Sequence, residues 1–446
     1  MTGPGPAIAV SPARAVAYAV LRRVFEQEAW ADRALHGEAR RAGLDARDRA
    51  LATQLSYGAV QRAATIDHVI ETMAQRPVAR LEPAVLAALR IGVFQLAFLD
   101  GVAPHAAVTE SVELAKADAP RGAGLVNAVL RRAVREARPL IDALSDATPG
   151  QASLRHSHPE WITRIWWHAL GPETTRALMA ANNEPAEAAL RANTLRITAQ
   201  DLAARLPVPT RTVEQLPEAL VLDDPFDTFS APEWREGLLM PQSRAAMAVS
   251  RALAPVAGER VLDLCAAPGG KTTHLAALMG NEGEIVAIER HEGRAEALRR
   301  TAQRMGASIV EVRTADAAQP VDDGPYDRVL VDPPCSDLGT LASRPDARWR
   351  KFGRPEALAE LQQQILAAGA SVLKPGGTLV YSTCTISPIE NEQVVKGFLD
   401  VHEEFSVADL GADAPVWKHP TMPQTLQTLP HRDRTDGFFI AKLVRA

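Results

Sequence analysis

Three cysteines, the only ones in the chain, lie in short motifs whose residue types could carry out catalysis. Cys265 lies in Asp-Leu-Cys-Ala-Ala-Pro-Gly-Gly-Lys-Thr, Cys335 ends Asp-Pro-Pro-Cys, and Cys384 ends Tyr-Ser-Thr-Cys. Disulfide frameworks are typical of small, cysteine-rich secreted domains, so they do not explain these residues. Two thiols and the carboxylate of Asp332, beside a bound cofactor, indicate covalent catalysis.

Cys335 and Cys384 are each predicted to follow a hydrophobic strand, and the two strands are expected to be neighbours in one sheet. Both thiols should therefore face the same cleft. A single cysteine is usually a small buried hydrophobe, and Cys265 is interpreted in that way. The paired placement of the other two favours a chemical role for them.

One reaction that needs two thiols and an acid is methylation at carbon 5 of cytosine, which is a poor nucleophile by itself. A thiolate that adds to carbon 6 turns the ring into an enamine, and an acid at ring nitrogen 3 stabilises the developing charge. A base then removes the proton on carbon 5 so that the thiol can leave. Asp332 fits the acid, one cysteine the nucleophile and the other the release step. The target base must be unpaired or flipped out.

The motif around Cys265 predicts a cofactor loop, because Gly269 and Gly270 allow the backbone to approach a ligand at the start of a helix. The loop is neither a dinucleotide Gly-x-Gly-x-x-Gly motif nor a complete P-loop. Glu289 ends the next predicted strand, where a carboxylate suits the hydroxyls of a ribose. Asp316 follows the third strand and could accept a hydrogen bond from an adenine amino group. Arg294 is expected either to pair with Glu289 or to be an ordinary solvated charge.

These motifs belong to a region that begins near residue 241, in which strands alternate with helices. This pattern predicts a doubly wound, Rossmann-like α/β sheet of parallel strands. The predicted strands cover residues 261–264, 284–288, 309–312, 328–331 and 378–381, and the predicted helices cover 271–279, 292–305 and 355–373. A final β-rich run, 438–444, is expected to be an antiparallel edge strand.

The preceding chain is predicted to contribute two further domains, so the protein is multidomain. Residues 1–145 form an all-α domain, with helices that start at Ser11-Pro12 and Glu82-Pro83 and others over 106–116 and 122–137. Residues 146–240 are rich in proline and form a small α+β connecting domain, with a helix over 172–182 and strands over 189–192 and 219–222. The α/β domain then covers residues 241–446.

Length and composition set broad limits on function. A chain of 446 residues with 46% apolar residues is expected to fold into two or three domains. No apolar run is long enough to cross a bilayer, and residues 1–9 lack a secretory signal, so a cytoplasmic protein with no membrane partner is expected. No metal site is expected either.

The net charge of −5 gives no global footprint for nucleic acid. Two basic clusters could bind RNA or form solvated faces: Arg131, Arg132, Arg135 and Arg138, and Arg344, Arg348, Arg350, Lys351 and Arg354.

In this order, Asp-Leu-Cys-Ala-Ala-Pro-Gly-Gly-Lys-Thr, Asp-Pro-Pro-Cys-Ser and Ser-Thr-Cys-Thr resemble the motifs of S-adenosylmethionine-dependent RNA cytosine-C5 methyltransferases. Segments 344–349 and 436–441 look like further family segments. Residues 89–99, 105–116 and 122–132 resemble the RNA-binding NusB domain. A NusB-like domain followed by this catalytic domain is the architecture of bacterial 16S rRNA (cytosine-C5) methyltransferases, so 16S ribosomal RNA is the expected partner.

The resemblance implies a role for each matching residue. Cys384 is the expected nucleophile, Cys335 assists release, and Asp332 is the acid. Glu289 stands where the family usually has aspartate, a change that keeps a ribose contact. Ser243 stands where the family often has aspartate, which puts a role there in doubt. The expected S-adenosylmethionine site comprises Cys265, Ala266, Ala267, Pro268, Gly269, Gly270, Lys271, Glu289, Arg294, Asp316 and Asp332.

Three alternatives remain at this point. The same chemistry could act on transfer RNA or another RNA. An adenine or exocyclic-amine methyltransferase would need an Asp/Asn-Pro-Pro-aromatic loop, and the cysteine pair speaks against it. A non-catalytic RNA-binding assembly factor could keep the fold, although the intact thiols and acid disfavour it.

Overall fold

The computed structural model describes residues 10–319, 324–350 and 355–446. The N-terminal nine residues, and Lys351 and Arg354 of the second basic cluster, lie outside the described residues. The chain divides into two compact units. One contains the chain up to Pro185 together with Leu341–Arg350, and the other contains Ala186–Thr340 and the chain from residue 355 onward.

The first unit is helical, as its sequence predicts. Ser11 and Pro12 occupy the cap and first turn of the first helix, and Pro83 begins the fifth helix after Glu82. The helices are α1 Pro12–Gln27, α2 Ala31–Ala42, α3 Ala46–Gln61, α4 Ala63–Ala74, α5 Pro83–Phe98, α6 Pro104–Asp118, α7 Ala123–Asp142, α8 Pro149–Arg155 and α9 Glu160–Ala181. Helix α9 is longer than the predicted 172–182 and is kinked at Gly171, whose φ is 79°. Helix α5 is buried on nearly all sides and forms the centre of the core.

The segment Leu341–Arg350 is part of this helical unit although its sequence neighbours belong to the other one. Its Arg348 side chain is fully buried, and burial lowers the pKa of the guanidinium to about 9. The guanidinium donates hydrogen bonds to the carbonyl oxygens of Gln61, Ser157, Asn182 and Leu341 and to Oδ1 of Asn183. Arg350 pairs with Asp346 at 2.9 Å and stacks on Trp30. Neither alternative for this cluster, an RNA-binding patch or a solvated face, describes the fully buried Arg348, and Arg350 is engaged within the unit.

The second unit begins with a small antiparallel sheet. Its strands are β1 Ala189–Ala192, β2 Thr210–Val213, β3 Leu216–Leu222 and β4 Leu239–Pro241, in the order β2-β3-β1-β4. Two short helices accompany them, α10 Ala199–Arg205 and α11 Pro232–Arg235. The first strand matches its predicted bounds, whereas β2 is short and polar and β4 has only three residues, so neither stands out from sequence.

The large sheet carries the candidate site. Its strands are β5 Arg260–Leu264, β6 Glu284–Glu289, β7 Val310–Thr314, β8 Tyr326–Val331, β9 Leu373–Thr383, β10 Phe405–Val407, β11 Leu426–Gln427 and β12 Phe439–Arg445. The interleaved helices are α12 Arg244–Leu253, α13 Gly270–Leu278, α14 Glu292–Met305, α15 Pro355–Ser371, α16 Glu392–Leu399, α17 Leu410–Asp413 and α18 Pro430–Asp433.

The strand order is β10-β12-β9-β8-β5-β6-β7, with β9 to β7 parallel, which confirms the predicted doubly wound sheet. Strand β12 is antiparallel to β9, as predicted. The expectation that it forms the sheet edge is wrong, because β10 pairs with its other side. Strand β10 has only three residues, which is too short for a sequence pattern to predict it.

Candidate active site

The predicted functional residues follow five adjacent parallel strands at their carboxyl ends. The loop of residues 265–271 follows β5, Glu289 ends β6, and Asp316 lies two residues beyond β7. Asp332 comes directly after β8, and Cys384 directly after β9. Since ligands of open α/β sheets bind at this edge, the fold brings the proposed cofactor and catalytic residues to one side of the sheet.

The loop after β5 has a backbone that depends on glycine. Gly269 has φ 99°, and a Cβ atom built there would lie 2.5 Å from Cδ1 of Leu298. Gly270 begins α13, whose N-terminal N–H groups are suited to a polar ligand. The fully buried Arg191 holds this turn, since it donates to the carbonyl oxygen of Gly270 at 2.5 Å and to Oγ1 of Thr273 at 2.8 Å. Sequence reasoning missed Arg191, which lies in β1, far from any motif.

The two acids at the neighbouring strand ends have different surroundings. Glu289 is almost fully buried, and its carboxylate accepts a hydrogen bond from N–H of His291 at 2.9 Å. Arg294 Nε lies 3.4 Å from the other Glu289 oxygen, and Arg294 also donates to the carbonyl oxygen of Ala267 at 2.9 Å. Asp316 is partly exposed. The glycine loop is thus flanked by a buried carboxylate at the end of β6 and by a more open one after β7.

Asp332 is held by two donors. Its Oδ2 lies 2.7 Å from Nζ of Lys271, and its Oδ1 accepts a hydrogen bond from Ser382 Oγ at 2.8 Å. Burial lowers the pKa of the Lys271 ammonium, but the charge and hydrogen bond of Asp332, with smaller contributions from Cys384 and Asp263, together raise this pKa above its ordinary value. Lys271 also lies 5.1 Å from the ring centroid of Phe438. A cationic donor and a carboxylate are thus fixed together at this point of the cleft.

The thiols of Cys335 and Cys384 lie 3.4 Å apart, sulfur to sulfur. The Cys384 thiol donates a hydrogen bond to Oδ1 of Asp337 at 2.9 Å, while the Cys335 sulfur lies 3.9 Å from the same oxygen. The contact with Cys384 lowers the pKa of the Cys335 thiol, whereas burial and the charge of Asp337 raise it, and the net shift is upward. The three groups lie within 4.8 Å of one another, which is also compatible with a metal ion. The thiol–carboxylate hydrogen bond already accounts for their arrangement.

A buried carboxylate supports the loop that carries Cys335. Glu390 accepts hydrogen bonds from N–H of Ser336 at 2.9 Å, from the Ser336 hydroxyl and from Gln362 Nε2 at 3.1 Å. Burial raises the pKa of Glu390. Tyr381 donates its hydroxyl hydrogen to the Glu390 carbonyl oxygen at 2.6 Å. Sequence reasoning missed both Asp337 and Glu390, because single acids in loops resemble ordinary surface residues.

Cys265 has a different environment from the other two cysteines. It adopts φ 65°, and burial raises the pKa of its thiol well above the ordinary value, with a further contribution from Asp332. Its side chain packs against the core on one face of the sheet. An inert, neutral thiol fits its interpretation as a small hydrophobe in the cofactor loop.

An open parallel sheet with a glycine loop after its central strand and acids after the next two defines an α/β enzyme that binds a nucleotide-like cofactor. Comparison with known families narrows the class. Residues 250–444 match the family described as 16S rRNA methyltransferase RsmB/F, residues 11–135 match the NusB family, and residues 158–228 match the RsmF/B-like ferredoxin-like domain. The chain belongs to the RsmB/F family of 16S rRNA methyltransferases.

Relatives match nearly the whole chain. The probable ribosomal RNA small subunit methyltransferase B of Synechocystis sp. is 36% identical, with 97% of this chain and 99% of the relative covered. The corresponding Bacillus subtilis protein is 33% identical, with 96% and 98% covered. The crystal structure of PH0851 has a TM-score of 0.84 at 26% identity and covers 98% of this chain and 100% of its own. A methyltransferase homologue from Pyrococcus horikoshii has a TM-score of 0.60 at 30% identity, with 68% and 100% covered.

These matches confirm the predicted family and the three kinds of domain. The chain is an S-adenosylmethionine-dependent methyltransferase of the small-subunit rRNA family, with a NusB-like RNA-binding domain. Within the described ranges, no helix has both the length and the apolar character needed to cross a membrane.

Proposed function

We propose that the protein methylates carbon 5 of a specific cytosine in 16S ribosomal RNA through a covalent bond between Cys384 and carbon 6. The observation that carries this proposal is the pair of thiols 3.4 Å apart at the carboxyl ends of β8 and β9. A methyl transfer to a nitrogen or oxygen atom would need no thiol, whereas covalent addition to a pyrimidine ring uses one, and a second thiol beside it can assist release.

Each side chain in the cleft has a proposed task. Cys384 attacks carbon 6, and Cys335 assists release of the methylated base. Asp332 is the acid that hydrogen-bonds to nitrogen 3 of the base, and the ammonium of its partner Lys271 helps to stabilise the negative charge that builds there. The tight contact between Lys271 and Asp332, at 2.7 Å, keeps both groups in place before the base enters.

The proposed cofactor site comprises residues 265–271 with Glu289, Arg294, Asp316 and Asp332. S-adenosylmethionine supplies an electrophilic methyl group when it is bound there. Glu289 would accept hydrogen bonds from the ribose hydroxyls, and Asp316 one from the adenine amino group. Arg294 keeps Glu289 and the loop together through its contacts with both.

The helical domain is proposed to contribute RNA affinity rather than chemistry. On α7, Arg131 and Arg135 are exposed, whereas Arg132 pairs with Glu136 and Arg138 with Asp100. We keep the proposed boundaries of 1–145, 146–240 and 241–446 for the three domains. A ribosomal RNA substrate supports the expected cytoplasmic location.

The proposal is tested by methyl transfer from labelled S-adenosylmethionine to unmodified 16S rRNA, followed by mapping of 5-methylcytosine. A single labelled cytosine at carbon 5 is the expected result. Transfer RNA and 23S rRNA serve as matched substrates, and preferential labelling of either would reassign the substrate. Binding of 16S rRNA without any methyl transfer would instead identify a non-catalytic assembly factor.

A further inference from the structure

We propose that Asp337 is the base that takes the thiol proton of Cys384 as this residue attacks the cytosine, and that it returns the proton when the thiol leaves. This inference rests on the proposed function, since it assigns a role at the same catalytic thiol. Asp337 contacts the reacting sulfur directly and is therefore a catalytic residue in this scheme.

The Asp337 carboxylate lies much closer to one of the two thiols than to the other. Oδ1 of Asp337 lies 2.9 Å from Sγ of Cys384, within hydrogen-bond reach, and 3.9 Å from Sγ of Cys335. A general base must lie this close to the proton that it removes. The geometry thus pairs the carboxylate with the expected nucleophile rather than with the release cysteine.

The backbone places Asp337 at this point. Its φ is 57°, in the left-handed region that aspartate tolerates better than most residues. Its carbonyl oxygen accepts hydrogen bonds from N–H and Oγ1 of Thr340, both at 3.0 Å. N–H of Gly339 donates to the Cys384 carbonyl oxygen at 2.9 Å, which joins this turn to the loop of the nucleophile. The carboxylate and the thiol are therefore carried by two loops that are bonded to each other.

Proton transfer to Asp337 accompanies the attack of Cys384 on carbon 6. The Sγ–H bond breaks and an Oδ1–H bond forms, while the sulfur electron pair makes the Sγ–C6 bond. The π electrons of the C5–C6 bond move towards nitrogen 3, so the negative charge passes from Asp337 to the ring. In the release step, which Cys335 assists, a base takes the proton on carbon 5 and the electron pair of that C5–H bond restores the C5–C6 double bond. The Sγ–C6 bond breaks, its electron pair stays on the sulfur, and the sulfur regains the proton from Asp337.

Other titratable groups surround the pair: Cys335, the Lys271–Asp332 ion pair and Glu390. If no proton transfer occurred, the charge of Asp337 would only disfavour a thiolate at Cys384, since like charges repel. Removing that charge would then speed the attack. The general-base role predicts the opposite sign, which makes the two roles distinguishable.

The test measures the rate of covalent adduct formation with 16S rRNA in the full-length Cys335→Ala protein, in which the adduct is expected to accumulate. Adding Asp337→Asn should slow this step about a hundredfold at pH 7, within the range typical of a general base. The variant must react through spontaneously formed thiolate, so its rate should rise about tenfold per pH unit towards the ordinary thiol pKa of about 8.5. The parent rate should change little between pH 6.5 and 8.

Asp337→Gly provides a second variant, because glycine adopts φ 57° without strain, and it should show the same loss and the same pH profile. Asp409→Asn, which changes a helix-capping acid outside the cleft, is the charge-matched control. An unchanged or faster rate, or an unchanged pH profile, in both Asp337 variants would overturn the role of Asp337 alone. Absence of any adduct in Cys335→Ala would overturn the covalent function itself, and the role of Asp337 with it.

Discussion

Cys335 and Cys384 are chemically identical residues whose surroundings differ, and the difference predicts their variants. Cys384 donates to Asp337 at 2.9 Å, whereas Cys335 is buried and its thiol pKa is raised. Cys384→Ala should therefore form no protein–RNA bond and should be inactive. Cys335→Ala should still attack and transfer the methyl group, then stall as a covalent complex that survives denaturing electrophoresis.

Nuclease digestion is the control for this experiment, because it should remove the shifted band. Cys265→Ala serves as the matched cysteine variant and should form no stalled complex. A trapped adduct with Cys384→Ala and none with Cys335→Ala would exchange the two roles.

A buried acid in β5 gives a prediction about pH and stability. Burial is the main reason that the pKa of Asp263 is raised to about 7, and the hydrogen bond from Thr272 opposes it. The folded protein thus holds this proton up to about pH 7, whereas the unfolded chain loses it near pH 4. The stability from this group is fully present below about pH 4 and is lost as pH rises through 7.

Asp263→Asn replaces the titrating carboxyl by a neutral amide, so the variant should not lose this stability as pH rises. The free energy of unfolding of the variant, relative to the parent, should increase between pH 4 and 7 by at most about 4 kcal/mol and then level off, since one pKa unit corresponds to about 1.4 kcal/mol. Urea unfolding at several pH values measures this difference. A difference that does not change with pH would show that Asp263 ionises normally in the folded state.

At the residue scale, functional residues of a rare type or at a strand end could be recognised from sequence. Residues that reach the site only through the fold could not. Rare cysteines and acids at strand ends stand out, so Cys335, Cys384, Glu289 and Asp332 could be singled out. Asp337 looks like a turn acid until the fold brings it to Cys384, which is distant in sequence. Arg191 comes from another sheet, so no spacing along the chain connects it with the loop that it supports.

At the scale of elements, the cofactor loop depends on the conformation of a single glycine. Gly269→Ala would place a Cβ atom 2.5 Å from Leu298 at φ 99°, so the loop or α14 must shift. We expect a loss of about 1–3 kcal/mol in stability and a marked loss of S-adenosylmethionine affinity. Thermal unfolding and titration calorimetry measure the two effects.

Gly270→Ala is the matched control for stability, because its Cβ atom would lie 3.8 Å from Cε of Met240, an ordinary contact. Its melting temperature should stay close to that of the parent. Equal destabilisation by the two substitutions would mean that the φ of Gly269 is not what limits this loop.

The parallel strands were predictable because buried β-branched runs alternate with amphipathic helices, and α14 matches its predicted bounds, 292–305. The order of the strands on the antiparallel side of the sheet could not be predicted. Strand β10 is three residues long, and it pairs with β12, which lies more than thirty residues later in the chain. No local sequence pattern indicates this pairing.

At the scale of the whole molecule, ten residues after the catalytic motif belong to the helical unit. Arg348 there satisfies four carbonyl oxygens and one side-chain amide oxygen, so removal of this segment would leave buried acceptors unpaired. A truncated N-terminal fragment would lack it. Experiments on RNA affinity are therefore better carried out with point variants of the full chain.

The exposed arginines of α7 allow such an experiment. Among the described residues, Arg131 and Arg135 have no carboxylate within ion-pair distance, so both are available for phosphates. Arg131→Ala with Arg135→Ala should weaken 16S rRNA binding and reduce the slope of log affinity against log salt by about 1.4–1.8, since each phosphate contact contributes about 0.7 for single strands and 0.9 for duplexes. Arg22→Ala with Arg164→Ala removes the same charge, but both arginines already pair with carboxylates, so the slope should stay nearly constant. Filter binding between 50 and 200 mM salt, a range over which such contacts respond strongly, measures both slopes. An equal change of slope in the two double variants would mean that affinity follows net charge alone and would remove α7 from the RNA-binding surface.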